Sequence, residues 1–156
     1  MNLKQFNCKY LLNDDRLLLR INTVDQSEYL FWITRRITHF ILKSTSQYIQ
    51  KAYEQRAPSV EHLILEIKQS NKQVGNFTKA FIPGFNYPLG GSPVLVMDAK
   101  LQMMKIGDQD VFALDFVLPG GANLNLKLPM PIMKSMILLL EELNAQAKWG
   151  SPACKQ

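Results

Sequence analysis

The chain has 156 residues, of which 47% are hydrophobic and 20% charged, and 18 Lys and Arg against 13 Asp and Glu give a net charge of +5. This composition is that of a globular domain and excludes a mostly disordered or collagen-like chain. The length favours one domain, which we place at residues 1–150, followed by a flexible tail at 151–156. No apolar run is long enough to span a membrane and no signal-peptide pattern opens the chain. We therefore expect a cytoplasmic protein without membrane contact.

The two cysteines indicate little chemistry. Cys8 lies in a predicted strand, and Cys154 lies in the tail. There is no CxxC pair and no Cys/His cluster, so we predict no zinc site and a reducing compartment. Cys8 is interpreted as a small core residue rather than a nucleophile.

Alternation of apolar and polar residues predicts an antiparallel meander at the start of the chain. The predicted strands cover residues 6–12, 16–22 and 28–33. After Thr34, a suitable N-cap, the apolar period becomes helical and predicts a helix through about Arg56.

The second half of the chain repeats this order of elements. The predicted strands are Val94–Ile106, Val111–Leu118 and Asn123–Leu128. A helix is expected from Pro131, a favourable first-turn residue, to Lys148.

A connector at 57–93 separates the halves. It is predicted to hold a short helix, Val60–Asn71, and a long loop without a clear period. Four aromatic side chains suggest that this loop is an interaction surface: Phe77, Phe81, Phe85 and Tyr87. Such loops are often functional. A dimer arm, a lid over a cleft and a packed crossover are all compatible with it.

The halves, 6–56 and 94–148, match as an internal repeat. A shift of 95 positions places Asp15 on Asp110 and Ile37 on Ile132, and strand faces, turns and helix starts coincide between them. Because a one-residue slip would reverse every strand face, this agreement favours a duplicated unit. We predict an α+β fold of two tandem strand-strand-strand-helix units, with one continuous sheet or two packed sheets left open.

The net charge resides in the first unit and its neighbouring connector. Residues 1–80 hold 12 Lys and Arg against 7 Asp and Glu, whereas residues 81–156 hold 6 of each. The candidate nucleic-acid or anion-binding residues are Lys9, Arg16, Arg20, Trp32, Arg35 and Arg36. Tryptophan beside arginine is a combination found in single-strand binders. Alternatively, another segment covers this face and Leu30 and Trp32 form a second core layer.

Two arginines at the start of a helix oppose the helix dipole. Arg35 and Arg36 could therefore be kept to receive a phosphate or carboxylate, or could pair with Asp25 or Glu28. His39, one turn further on, is interpreted as a boundary residue.

No catalytic motif is present. The sequence lacks GxSxG, HExxH, DxDxDG, GxGxxG and GKS/GKT patterns. The acidic pair Asp14-Asp15 lies in a predicted turn, where solvated charge is expected. We predict no catalytic residues, metal or cofactor.

The segment from Glu28 to Phe40, which reads Glu-Tyr-Leu-Phe-Trp-Ile-Thr-Arg-Arg-Ile-Thr-His-Phe, resembles a strand-to-helix segment of a family of small bacterial proteins with the pattern Trp-Leu/Ile-Thr-Arg-Arg. This resemblance implies no activity. The order of elements is also similar to that of Whirly and PUR-type single-strand nucleic-acid binders, whose units have more strands and whose binding motifs do not occur here.

Two main functions remain open from the sequence. The first is a non-enzymatic interaction module of the bacterial cytoplasm that binds another protein or forms a homo-oligomer. The second is single-stranded nucleic-acid binding through the candidate residues named above. A small-ligand protein or enzyme with a cleft under residues 76–91 is a third hypothesis.

Overall fold

The computed structural model describes residues 3–56, 84 and 86–150. The predicted helix Val60–Asn71, most of the aromatic loop and the tail at 151–156 lie outside these residues.

The first unit contains three antiparallel strands and a helix, in the predicted order. They are β1 (Leu3–Leu11), β2 (Arg16–Thr23), β3 (Glu28–Ile33) and α1 (Arg35–Arg56). Thr34 precedes α1, and its Oγ1 accepts a hydrogen bond from the N–H of Ile37 at 3.5 Å, as expected of an N-cap.

The second unit also ends in a helix. Its elements are β4 (Val94–Leu95), β5 (Asp98–Ile106), β6 (Gln109–Val117), β7 (Asn123–Pro129) and α2 (Met130–Ala147). Pro131 lies in the first turn of α2, and Lys148 ends the helix in a left-handed conformation with φ of 59°. The predicted α+β fold is confirmed.

The strands of the described residues form two sheets rather than one, with the orders β1-β2-β3-β4 and β5-β6-β7. The continuous strand predicted at Val94–Ile106 is wrong, because the chain changes sheets in its middle. The N–H of Val96 donates to the carbonyl of Trp32 at 3.1 Å, and the N–H of Met97 donates to the carbonyl of Val117 at 2.8 Å. The short β4 therefore pairs parallel to β3, and β5 begins the second sheet.

The strand register follows the internal repeat. Leu17 pairs with Ile33 in the first unit. The residues 95 positions later, Phe112 and Leu128, pair with each other in the second unit. The first hairpin departs from this shift, because its loop at 12–15 is two residues longer than the loop at 107–108. The tight hairpin between β5 and β6 has Gly107 at φ of 63°, a left-handed conformation that suits a two-residue turn.

Each helix packs partly on the other unit. Helix α1 packs against β5, and α2 packs against β1 as well as against β6 and β7. The rings of Phe31 and Phe116, both fully buried, meet edge to face with centroids 5.2 Å apart, so the two units share one hydrophobic core.

Candidate functional site

The outer face of the first sheet carries the predicted basic and aromatic residues. Lys9 pairs with Leu18, Leu18 with Trp32 and Trp32 with Leu95, so these four residues form one row across the sheet. Lys9 is exposed, whereas the other three are half-buried. Trp32 is therefore partly accessible to solvent. Its exposure is intermediate between the two alternatives from the sequence, an open binding face and a covered second core layer.

Arg16 lies over the ring of Trp32. Its guanidinium carbon is 5.3 Å from the centroid of the indole ring, within the range of a cation–π interaction. Among the described residues Arg16 forms no ion pair, and its side chain is half-buried. The positive charge at this end of the face is thus held in place by an aromatic ring rather than by a carboxylate.

Arg20 has a different partner. Its Nε and Nη2 donate to Oε2 of Glu28 at 3.1 and 3.0 Å, and Glu28 is only 1% exposed. The other carboxylate oxygen of Glu28 accepts a hydrogen bond from the N–H of Gly84 at 2.9 Å. Glu28 pairs with Arg20 instead of with Arg35 or Arg36, the partners considered from the sequence. Arg20 therefore stabilises a buried carboxylate.

Arg35 and Arg36 begin helix α1 and are both exposed. Arg36 Nη2 donates to the carbonyl oxygen of Met97, and Arg36 Nη1 is 3.6 Å from Oδ1 of Asp98. Arg36 thus contacts the chain where it crosses between the sheets. Arg35 forms no ion pair with any described residue.

An open cleft of about 650 Å³ separates the start of β2 from the start of α1. Its lining combines three guanidinium groups, two carboxylates, a hydroxyl and an imidazole: Asp14, Asp15, Arg16, Thr34, Arg35, Arg36 and His39. The two walls meet because Leu17 pairs with Ile33, which brings the preceding Arg16 beside the following Thr34.

One wall of the cleft is fixed by Asp15. Its Oδ1 accepts hydrogen bonds from the hydroxyl of Tyr10 at 2.7 Å and from Nε1 of Trp149 at 3.0 Å. The Tyr10 hydrogen bond, then the Trp149 hydrogen bond and the charge of Arg35 lower the pKa of Asp15. Asp15 itself has a left-handed backbone with φ of 49°. Both its charge and its position are therefore stabilised.

The end of the second unit borders the same cleft. His39 Nε2 is 2.9 Å from Oδ1 of Asn144, and Nδ2 of Asn144 donates to the carbonyl of Gly150 at 2.7 Å. The sequence alone predicts a solvated turn residue at Asp15 and a boundary residue at His39, without their partners. No local pattern relates positions 134 residues apart, as Asp15 and Trp149 are.

The candidate interaction loop is only partly within the described residues. Phe77, Phe81 and Phe85 lie outside them, whereas Tyr87 is 39% exposed. The neighbouring Asn86 attaches this segment to the turn before β3, because its carbonyl accepts from the N–H of Glu28 at 2.7 Å.

Within 3–56, 84 and 86–150, no three His, Cys, Asp or Glu side chains are grouped so that they could hold a metal ion. Burial raises the pKa of the Cys8 thiol to about 12, so this residue is a core side chain as expected. Neither α1 nor α2 combines the length and apolar character needed to cross a membrane.

Protein-family models, curated proteins and solved structures were compared with this chain, and none matched it.

Proposed function

We propose that this protein binds single-stranded nucleic acid through a basic face formed by Lys9, Arg16, Trp32, Arg35 and Arg36. The observation that supports the proposal is the position of the Arg16 guanidinium over the half-buried Trp32 ring, 5.3 Å from its centroid. Bases stack on aromatic rings and on guanidinium planes, and neighbouring cations neutralise the backbone.

The arrangement of charge supports the same proposal. Lys9 lies two strands from Trp32 in one row, and Arg16 lies on β2 two residues from Leu18 of that row. Neither Arg16 nor Arg35 forms an ion pair with a described residue. A nucleic-acid strand that crosses the sheet along this row would meet the cation of Lys9 and then the ring of Trp32, with the guanidinium of Arg16 over that ring. Electrostatic contacts of this kind do not depend on base sequence.

The second unit offers an internal comparison. The positions that match Arg16, Trp32 and Arg35 are Val111, Lys127 and Met130. The basic and aromatic group therefore belongs to one unit alone, although both units share strand register and helix start. A difference of this kind between repeats fits a binding surface better than a requirement of the fold, because the second unit adopts the same fold without the group.

The test is fluorescence anisotropy with an end-labelled oligothymidine across a salt series. We expect log affinity to fall with log salt at a slope between about −2 and −3, since each cation contributes about 0.7 on a single strand. Trp32→Ala should weaken binding about tenfold, because one base loses its stacking platform. Arg35→Ala should reduce the slope by about 0.7.

Lys127→Ala is the matched control, because Lys127 is exposed and holds the position equivalent to Trp32 in the second unit. It should leave affinity nearly unchanged. Binding that is insensitive to salt, or equal in wild type and Trp32→Ala, would contradict the proposal.

Self-association is a second candidate function, favoured by exposed apolar side chains next to the anchored Asn86. Tyr87 and Leu89 are 39% and 37% exposed. We propose a second copy of the chain as their partner. Sedimentation should then show a concentration-dependent dimer that Tyr87→Ser with Leu89→Ser abolishes, whereas Leu12→Ser, at a 78% exposed hairpin position, should not. A monomer at all concentrations would exclude it.

A further inference from the structure

We infer that the cleft between β2 and α1 binds the terminal phosphate of a nucleic-acid strand. This inference rests on the proposed function and identifies which part of the nucleic acid binds in the cleft. The cleft is continuous with the basic face, because Arg16 both lines it and lies over Trp32. A strand stacked on that face would therefore place its end among the guanidinium groups.

Charge in the cleft favours an anion. Three arginines outnumber the carboxylates of Asp14 and Asp15, and they come from two separate elements of the first unit. The carboxylate of Asp15 is already hydrogen-bonded by Tyr10 and Trp149, which directs its Oδ1 toward those donors. Arg36 is 3.6 Å from Asp98, so Arg16 and Arg35 are the guanidinium groups of the lining that form no ion pair with a described residue.

The chemistry also favours a terminal over an internal phosphate. A phosphate monoester carries about 1.5 to 2 negative charges near neutral pH, with three acceptor oxygens, whereas each internal diester carries one charge. Arginine binds such groups with paired hydrogen bonds. Arg16 comes from β2 and Arg35 from α1, so a monoester in the cleft can be approached by guanidinium groups of two elements, and Thr34 adds a hydroxyl to the lining.

The size of the cleft agrees with this ligand. At about 650 Å³ it accommodates a phosphate together with its sugar, and it is broadly open to solvent. His39 is part of the lining, and its Nε2 is held by Oδ1 of Asn144 at 2.9 Å.

The experiment compares oligothymidines of one length that carry a 5′-phosphate, a 3′-phosphate or two hydroxyl ends, each labelled at the end that does not vary. Wild type should bind one of the phosphorylated forms about tenfold more tightly than the hydroxyl form. Arg35→Ala should remove this ratio. Trp32→Ala should weaken all forms and retain the ratio, and Lys127→Ala should change neither affinity nor ratio.

A separate titration follows the amide resonances of Arg35 and Arg36 with thymidine 5′-monophosphate and with thymidine. Equal affinity for all oligothymidines would overturn the cleft inference and leave the proposed function standing. Shifts with the monophosphate but not with thymidine, in a protein that binds no oligothymidine, would support the cleft and contradict the proposed function. No shift and no binding would overturn both.

Discussion

Trp149 donates its indole N–H to the carboxylate of Asp15 at 3.0 Å, which joins the end of the second unit to the first hairpin of the first. The ring of Trp149 is buried and meets Tyr10 edge to face with centroids 5.8 Å apart. Asp15 thus accepts hydrogen bonds from two aromatic residues of different units, and it also forms part of the cleft wall.

This relationship predicts a dependence of stability on pH. Tyr10 and Trp149 lower the pKa of Asp15 below its ordinary 3.8. The stabilisation is therefore complete above pH 3.8 and is lost as the pH falls through the lower pKa of the folded state. We expect Asp15→Asn to lower the urea midpoint more at about pH 7 than at a pH below the folded-state pKa of Asp15, where the wild-type carboxyl is also neutral.

Asparagine is the suitable replacement because it tolerates the left-handed backbone of residue 15, with φ of 49°. Asp14→Asn is the matched control, since Asp14 is the exposed neighbour of Asp15 in the same hairpin loop. An equal loss of stability at both pH values in Asp15→Asn would show that the hydrogen bonds contribute no ionic stabilisation.

Cys8 should be unreactive in the folded protein. Its pKa of about 12, against an ordinary 9.0, follows from burial and reduces the thiolate population at about pH 8 roughly a thousandfold. In a Cys154→Ser variant, a thiol-reactive disulfide dye should label Cys8 at least that much more slowly in the native protein than in concentrated urea. Rapid native labelling would mean that the core around Cys8 opens readily.

Gly84 is required where its chain segment passes the first sheet. An added Cβ would lie 2.6 Å from the carbonyl oxygen of Gln26 and 3.1 Å from the backbone N of Glu28. Gly84→Ala must therefore move the N–H that donates to the buried carboxylate of Glu28, and should destabilise the fold by about 2 kcal/mol. Gly91→Ala, where nothing lies within 4 Å, should change stability by less than about 0.5 kcal/mol. Similar urea midpoints for the two variants would contradict this role.

Strand pairing could be predicted from the sequence because its signal is local. Alternation fixes which residues share a face, and the 95-residue shift related Leu17 and Ile33 to Phe112 and Leu128, which are paired in the structure. The break at Val96 could not be predicted, because residues 94–97 are all apolar and suit either sheet. Only the hydrogen bonds show where the chain changes sheets, because Val96 donates to Trp32 in the first sheet and Met97 donates to Val117 in the second.

The same limit applies to the candidate site. Arg16 and Trp32 could be placed on one face from strand parity alone, and the structure brings them into contact. The partners of Arg20 and Asp15 could not be assigned, because several residues of suitable charge lie nearby in the sequence and Trp149 is distant. Long-range contacts that depend on how two units pack leave no periodic trace in either unit.

The contact between Phe31 and Phe116 should couple the two units energetically. Both rings are fully buried, belong to different sheets and meet with centroids 5.2 Å apart at 73°. In a double-mutant cycle with both residues changed to Leu, we expect a coupling energy of about 0.5 to 1.5 kcal/mol from urea unfolding.

The control is a cycle that pairs Phe31→Leu with Phe112→Leu, since the Phe112 ring packs against Tyr48 instead, with centroids 6.2 Å apart. Coupling should there fall below about 0.5 kcal/mol. If Phe116 showed no more coupling than Phe112, the units would be joined by general burial and by the Trp149 contact rather than by this ring pair.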